Sequence, residues 1–191
     1  MDRPLNINRT DVDLTIRVTH TRNLSEDVRS AVDHVCMAAR LGEMTESLFQ
    51  FLPPDGIHVM GYIEDEMVSH AVVTTRWLQV AEQPILKTAY IDAVSTVPKF
   101  QQRGAGSAVM RHLTGVIPNY EIGALQTERV PFYSRVGWEV WRGPLAGRKA
   151  NGERIPTPDM GDDRVMIFRL PNTPELDLDS PLSIEYNGRI W

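Results

Sequence analysis

Gly104 and Gly106 stand where a run of strand-forming residues gives way to one with helical spacing. Before them Tyr90, Ile91, Val94, Thr96 and Val97 favour a strand that Pro98 stops. After them Ala105, Ala108, Val109, Leu113, Val116 and Ile117 recur along one helix face. The turn between, Gln101-Gln102-Arg103-Gly104-Ala105-Gly106, therefore opens a helix, and the glycines leave the unpaired N–H groups of its first turn bare to an anion. A diphosphate fits such a place. A phosphate loop of the GxxxxGK[ST] type is absent from the sequence, and a dinucleotide fingerprint needs a third glycine near Val109. The plain alternative is a glycine-softened helix start.

A second chemistry lies in the distribution of charge. The net charge is −5 and the pI about 5.5, which argues against nucleic acid as a partner, since phosphate binding depends on clustered Lys and Arg. From Pro156 onward seven acids (Asp159, Asp162, Asp163, Glu175, Asp177, Asp179, Glu185) face three arginines (Arg164, Arg169, Arg189). Such an excess attracts a cationic small molecule. A solvated acidic tail is the equal alternative. His58 and His70 lie inside strand-like runs with no Cys, Asp or second His at ligand spacing, so they read as structural and no metal site is expected. Cys36 is the single cysteine, which precludes an internal disulfide and suits a reducing compartment. No leader-like N-terminus and no run of about 18 apolar residues is present, so neither export nor membrane insertion is expected and a cytoplasmic location is.

The elements that must carry these residues follow from period and punctuation. With 191 residues, 42% of them hydrophobic, one domain spanning residues 1–191 is expected. Leu14 to Thr19 alternates as a first strand. Ser25 caps a helix whose Val28, Ala31, Val32, Val35 and Cys36 share a face, which makes Cys36 a small core residue. Glu43 to Glu46 begins a short helical piece that ends at the turn Pro53-Pro54-Asp55-Gly56. Ile57–Ile63 and Met67–Val80 form a hairpin about Glu64-Asp65-Glu66. After the glycine-opened helix, Ile122–Leu125 is a short buried strand parallel to the one before it, given a right-handed crossover. Val130 to Trp138 is a short helix with Pro at its start and Gly past its end. Gly143 to Gly161 reads as a long loop, Arg164–Leu170 as a strand, and the rest as a polar tail from about residue 171 to 191.

The spacing Gln101-x-x-Gly104-x-Gly106 resembles the acyl-CoA diphosphate loop of the GCN5-related N-acetyltransferases. The segment Phe132-Tyr133-Ser134-Arg135-Val136-Gly137-Trp138 after a βαβ unit resembles the FYxRxGW stretch of the same superfamily; the alternative is an amphipathic turn with Phe132 and Tyr133 in the core. The resemblance implies an α/β fold with a central mixed, mostly antiparallel sheet, a splayed central strand and flanking helices. It also implies acetyl-CoA as cofactor. Within the superfamily the chain is most similar to the aminoglycoside 2′-N-acetyltransferases, through Tyr90-Ile91-Asp92-Ala93-Val94, Gly123-Ala124-Leu125, Trp141-x-Gly143-Pro144, Thr157-Pro158-Asp159 and Trp191.

What that likeness implies is an enzyme that acetylates an aminoglycoside amine. Asp92 would take the ammonium proton, in a place where the family commonly has Glu. The N–H near Val94 would stabilise the oxyanion, and Tyr133 would protonate the leaving thiolate. Ala93, Val94, Ser95 and Thr96 would pair with the pantetheine arm. Gln101, Gln102, Arg103, Gly104, Ala105, Gly106 and Ser107 would hold the diphosphate. Glu43, Asp92, Asp159 and the carboxylate of Trp191 match the family's drug-binding groups, with Asp162 and Asp163 as neighbours and the tail contributing to the acceptor site. Where the family pattern has an acid, this chain has Arg189, which should weaken or redirect cation binding. A homodimer is expected. Two other readings remain: the same chemistry on a protein N-terminus, lysine or polyamine, and a non-catalytic acyl-CoA-binding module.

Overall fold

In the computed structural model residues 13–39, 46–50 and 52–191 are described. A long central strand, β3 (Glu66–Val80), organises the sheet because one of its edges is shared. Its first half pairs antiparallel with β2 (Ile57–Ile63), and its last residues, Leu78 to Val80, pair antiparallel with β10 (Leu182–Glu185). β1 (Thr15–His20) lies beyond β2. On its other edge β3 pairs with β4 (Leu86–Thr96), which pairs in parallel with β5 (Ile122–Thr127). β6 (Glu139–Val140), β7 (Leu145–Arg148), β8 (Arg154–Pro156) and β9 (Arg164–Arg169) complete the order β6-β9-β5-β4-β3-β10-β7-β8. Antiparallel pairings dominate, as expected.

Period-two alternation along β2 sends neighbouring side chains to opposite faces. Val59 packs with Ala71, Val73, Ile91, Val109 and Leu113 under α2 (Ala105–Gly115). Met60 and Tyr62 pack instead with Val32, Val35 and Cys36 of α1 (Glu26–Ala39). β3 is buried on both sides for this reason. The Ser25 hydroxyl accepts from the Val28 N–H at 3.4 Å, and Glu26 and Asp27 occupy the first turn of α1, so this helix starts where capping chemistry predicts.

The C-terminal third departs from the sequence reading. The stretch 143–161 is not one long loop but contains β7 and β8, and the presumed tail contains β10, which pairs in parallel with β7. These pairings join residues far apart in sequence, so no local period announces them. Nor is the tail a solvated appendage. Leu176, Leu178, Leu182, Ile184 and Trp191 are buried with Leu78, Leu86, Tyr90, Trp141 and Ile167 in a separate apolar cluster, while Asp177 and Asp179 stay outside and Glu185 is half-buried. Gly143 makes room for this: a Cβ there would collide with the Ser180 and Asp179 carbonyls, and the Arg142 and Gly143 N–H groups both donate to Leu178 O at 2.9 Å.

Candidate active site

β4 and β5 pair in parallel only from Thr88 to Tyr90, opposite Ile122 to Ala124; both run on, but the ladder stops. The pairing with β3 advances from Val72↔Asp92 to His70↔Ser95, so β4 carries one extra residue. That is a β-bulge at Ala93 and Val94, and Ala93 has φ 50°. The bulge kinks β4 away from β5 and opens a cleft along its edge. Asp92, Ala93, Val94 and Thr96 are half-buried there, with Ser95 buried.

A buried histidine pair sits behind the bulge. His70 Nδ1 donates to the Ala93 carbonyl at 3.1 Å, because a carbonyl only accepts. His70 Nε2 therefore accepts from His58 Nδ1 at 2.9 Å, and His58 Nε2 accepts from the Thr21 hydroxyl at 2.9 Å. Burial holds both imidazoles neutral, with His58 lowered to about 3, helped by the repulsion that protonating His70 as well would bring and by the charge of Arg29, and His70 lowered to about 4. Both histidines are thus structural in the sense that they fix backbone.

The cleft leads to the start of α2. Gln102 (φ 58°) and Gly104 (φ 91°) take left-handed conformations that turn the chain into the helix. Gln101, Gln102 and Arg103 are exposed. Gln101 closes the turn by donating its amide to the Thr96 carbonyl at 3.0 Å. A Cβ on Gly106 would lie 3.0 Å from Thr96 Oγ1 and 3.5 Å from Phe132 Cζ, so a glycine there brings the helix start against the end of β4 and against α3 (Val130–Ser134). Phe132 meets Tyr133 edge-on at 4.8 Å between ring centres. The loop and Tyr133 therefore share one end of the cleft. Burial, opposed in part by Arg129, pushes the Tyr133 phenol well above its ordinary range, so it keeps its proton at neutral pH. An open strand edge, a bare helix start approached through glycine, and a protonated phenol beside them fit an acyl-CoA.

At the other end of the cleft Asp92 is engaged. The Nη2 of Arg189 lies 3.1 and 3.0 Å from its two oxygens, and the Thr74 hydroxyl is 3.4 Å from Oδ2. Arg189 and Arg76 both stack over the Tyr90 ring, at 5.4 and 5.3 Å. Arg76 is 3% exposed and pairs with Glu185 at 2.6 Å; its Nη2 donates to the carbonyls of Glu185, Arg189 and Ile190. Next to this lies a hollow of about 710 Å³ lined by Gln126, Thr157, Asp159, Asp163, Tyr186 and Trp191, among others. Gly188 and Ile190, which flank Arg189, also line it. Asp163 accepts from Gln126 at 2.8 Å, Asp159 is exposed and accepts from the Gly161 N–H, and the Trp191 indole donates to Thr157 at 2.9 Å.

The residues singled out by sequence thus divide. Ala93 to Thr96 and Gln101 to Ser107 lie along the kinked end of β4 and the start of α2, with Tyr133 buried in the core cluster beside them; Asp159, Asp163 and Trp191 line the adjoining hollow, and Asp92 stands next to it through its pairing with Arg189. Asp162 is exposed and does not line the hollow. Glu43 lies outside the described residues. Sequence reasoning missed Arg76, Thr74 and the histidine relay. A lone arginine in the apolar run of β3 was the available signal for Arg76, because a buried guanidinium requires partners.

The site and fold together define an acyl-CoA-dependent N-acyltransferase. The sequence model of the Acetyltransferase (GNAT) domain matches residues 25–141, and the chain belongs to the GNAT acetyltransferase family, whose members use acetyl-CoA. Escherichia coli ElaA is similar over 82% of this chain and 99% of its own, at 16% identity and a TM-score of 0.56. An acyl-CoA N-acyltransferase from Pseudomonas aeruginosa has the same coverages, 11% identity and a TM-score of 0.58. The ribosomal-protein-S18-alanine N-acetyltransferase of Escherichia coli is similar over 82% of this chain and 94% of its own, at 15% identity and a TM-score of 0.53. Longer structures are matched over only 36% and 33% of their length. Likeness at such identity shows the fold, and the expected mixed sheet with a splayed strand is the observed one.

Proposed function

We propose that the chain acetylates an amino group of a polycationic small molecule of the aminoglycoside type. One observation carries the choice of acceptor: the hollow beside Asp92 is lined by Asp159 and Asp163, while its Lys149 is paired to Glu153 at 2.7 Å. An acceptor rich in ammonium and hydroxyl groups suits carboxylates and polar rims better than an apolar slot does. Bound acetyl-CoA supplies a thioester-activated acetyl group. Ala93 to Thr96 present the free edge of β4 to the pantetheine amides, as an added strand would meet it. The first-turn N–H groups of α2, with Arg103 beside them, hold the diphosphate. Asp92 takes the ammonium proton, through ordered water where the short side chain does not reach. Val94 N–H polarises the thioester carbonyl, and Tyr133 donates a proton to the departing sulfur.

The test is a panel of acceptors (neamine, spermidine, polylysine and a peptide with a free N-terminus) assayed for thiol release from acetyl-CoA. Mass spectrometry and NMR would locate the acetyl group on the product. Acetylated neamine is the expected outcome. Turnover of the peptide alone would remove the aminoglycoside reading and leave the acetyltransferase one standing.

A further inference from the structure

Arg189 sits where an acceptor ammonium would sit. Its Nη2 contacts both oxygens of Asp92, at 3.1 and 3.0 Å, and its guanidinium lies 5.4 Å from the centre of the Tyr90 ring. A carboxylate beside an aromatic face is a cation site. Here its occupant is tethered to the chain.

The backbone that carries this occupant is fixed. Arg76 Nη2 holds the carbonyls of Glu185, Arg189 and Ile190 at 2.8, 3.4 and 3.1 Å, and the Trp191 indole is anchored to Thr157. The side chain is freer. It is 52% exposed, and among the described residues Asp92 is the only hydrogen-bond partner of its guanidinium nitrogens. It can therefore leave Asp92 without breaking a hydrogen bond of the buried network around Arg76.

We propose that Arg189 sets an affinity threshold for acceptors: it competes with every amine for Asp92 at the same cost, so an amine binds well only when other ammonium groups of the same molecule bind carboxylates of the adjoining hollow. A monoamine must displace a tethered guanidinium at a single point of contact. A polyamine gains further contacts at Asp159 and the half-buried Asp163, both lining the hollow that Gly188 and Ile190 flank. The tether gives the guanidinium a high effective concentration at Asp92, which one amine does not match. This inference rests on the polycationic-acceptor reading above.

The experiment compares binding of glucosamine, a monoamine, and neamine, a polyamine, to the CoA complexes of the native chain, Arg189→Gln and Arg189→Lys, by calorimetry. Arg189→Gln is expected to tighten glucosamine and neamine alike by about fivefold, the scale of a half-exposed charge pair, since each displaces the same guanidinium, and Arg189→Lys to stay near the native affinities. Unchanged or weaker binding of either probe in Arg189→Gln would overturn the competition while native neamine binding upholds the acceptor class. Failure of neamine to bind any of the three proteins would instead remove the acceptor class, and the competition with it.

Discussion

Lowering the pH from 7 to 5 should destabilise this protein through two buried imidazoles. His58 and His70 are fully buried, and their folded-state values, about 3 and about 4, lie below the ordinary 6.5. The unfolded chain therefore takes up protons on these groups first. Their contribution to stability is complete above pH 6.5, and it is lost as the pH falls toward the folded values. At pH 5 an ordinary imidazole is almost fully protonated while a folded one of this kind is not. Each such group costs about 2 kcal/mol relative to pH 7, and the pair about 4 kcal/mol. That is a large part of the stability of a typical domain. Urea unfolding followed by tryptophan fluorescence at pH 7, 6 and 5 would measure it, with His70→Gln as the reference that has one titrating imidazole fewer. The native chain should lose about 2 kcal/mol more than the variant over this range. Because His70 holds the Ala93 carbonyl, imidazole NMR of the native chain provides a check independent of the variant's stability: the His58 and His70 ring resonances should not titrate between pH 7.5 and 5. Parallel pH dependences in the two proteins, or ring shifts with midpoints near 6.5, would refute the reasoning.

Other perturbations probe the cleft. Tyr133→Phe keeps the ring contacts with Phe132 and Trp138 but removes the proton donor, and should lower kcat about a hundredfold with the acetyl-CoA KM within about twofold; stopped-flow thiol release would show it, and an unchanged kcat would exclude the role. Gly106→Val adds atoms where a Cβ already meets Thr96 Oγ1 at 3.0 Å. It should raise the acetyl-CoA KM by about tenfold or more while leaving the secondary structure seen by circular dichroism intact. Arg76→Met leaves Glu185 without its buried partner and frees the carbonyls of Arg189 and Ile190. It should cost about 3–5 kcal/mol in urea unfolding and raise acceptor KM more than acetyl-CoA KM; a rise confined to acetyl-CoA would contradict the placement of the two sites.

The sequence alone determined the parts governed by local rules. Strand followed by Pro98, a turn with Gly104 and Gly106, and a helix of period 3.6 are written into neighbouring residues, and so are the capped start of α1 and the hairpin of β2 and β3. The short helix bearing Tyr133 was legible for the same reason, with Pro131 near its start and Gly137 past its end. These motifs named the residues proposed to hold the cofactor. Only the tertiary structure decided what surrounds Asp92. That Leu145–Arg148 pairs with Leu182–Glu185, that Arg76 reaches across more than a hundred residues to hold the segment carrying Arg189, and that Arg189 lands on Asp92 depend on contacts between distant segments. Hydrophobic period and turn chemistry report a residue's neighbours along the chain, whereas the partner of a buried charge is set by where the backbone returns in space.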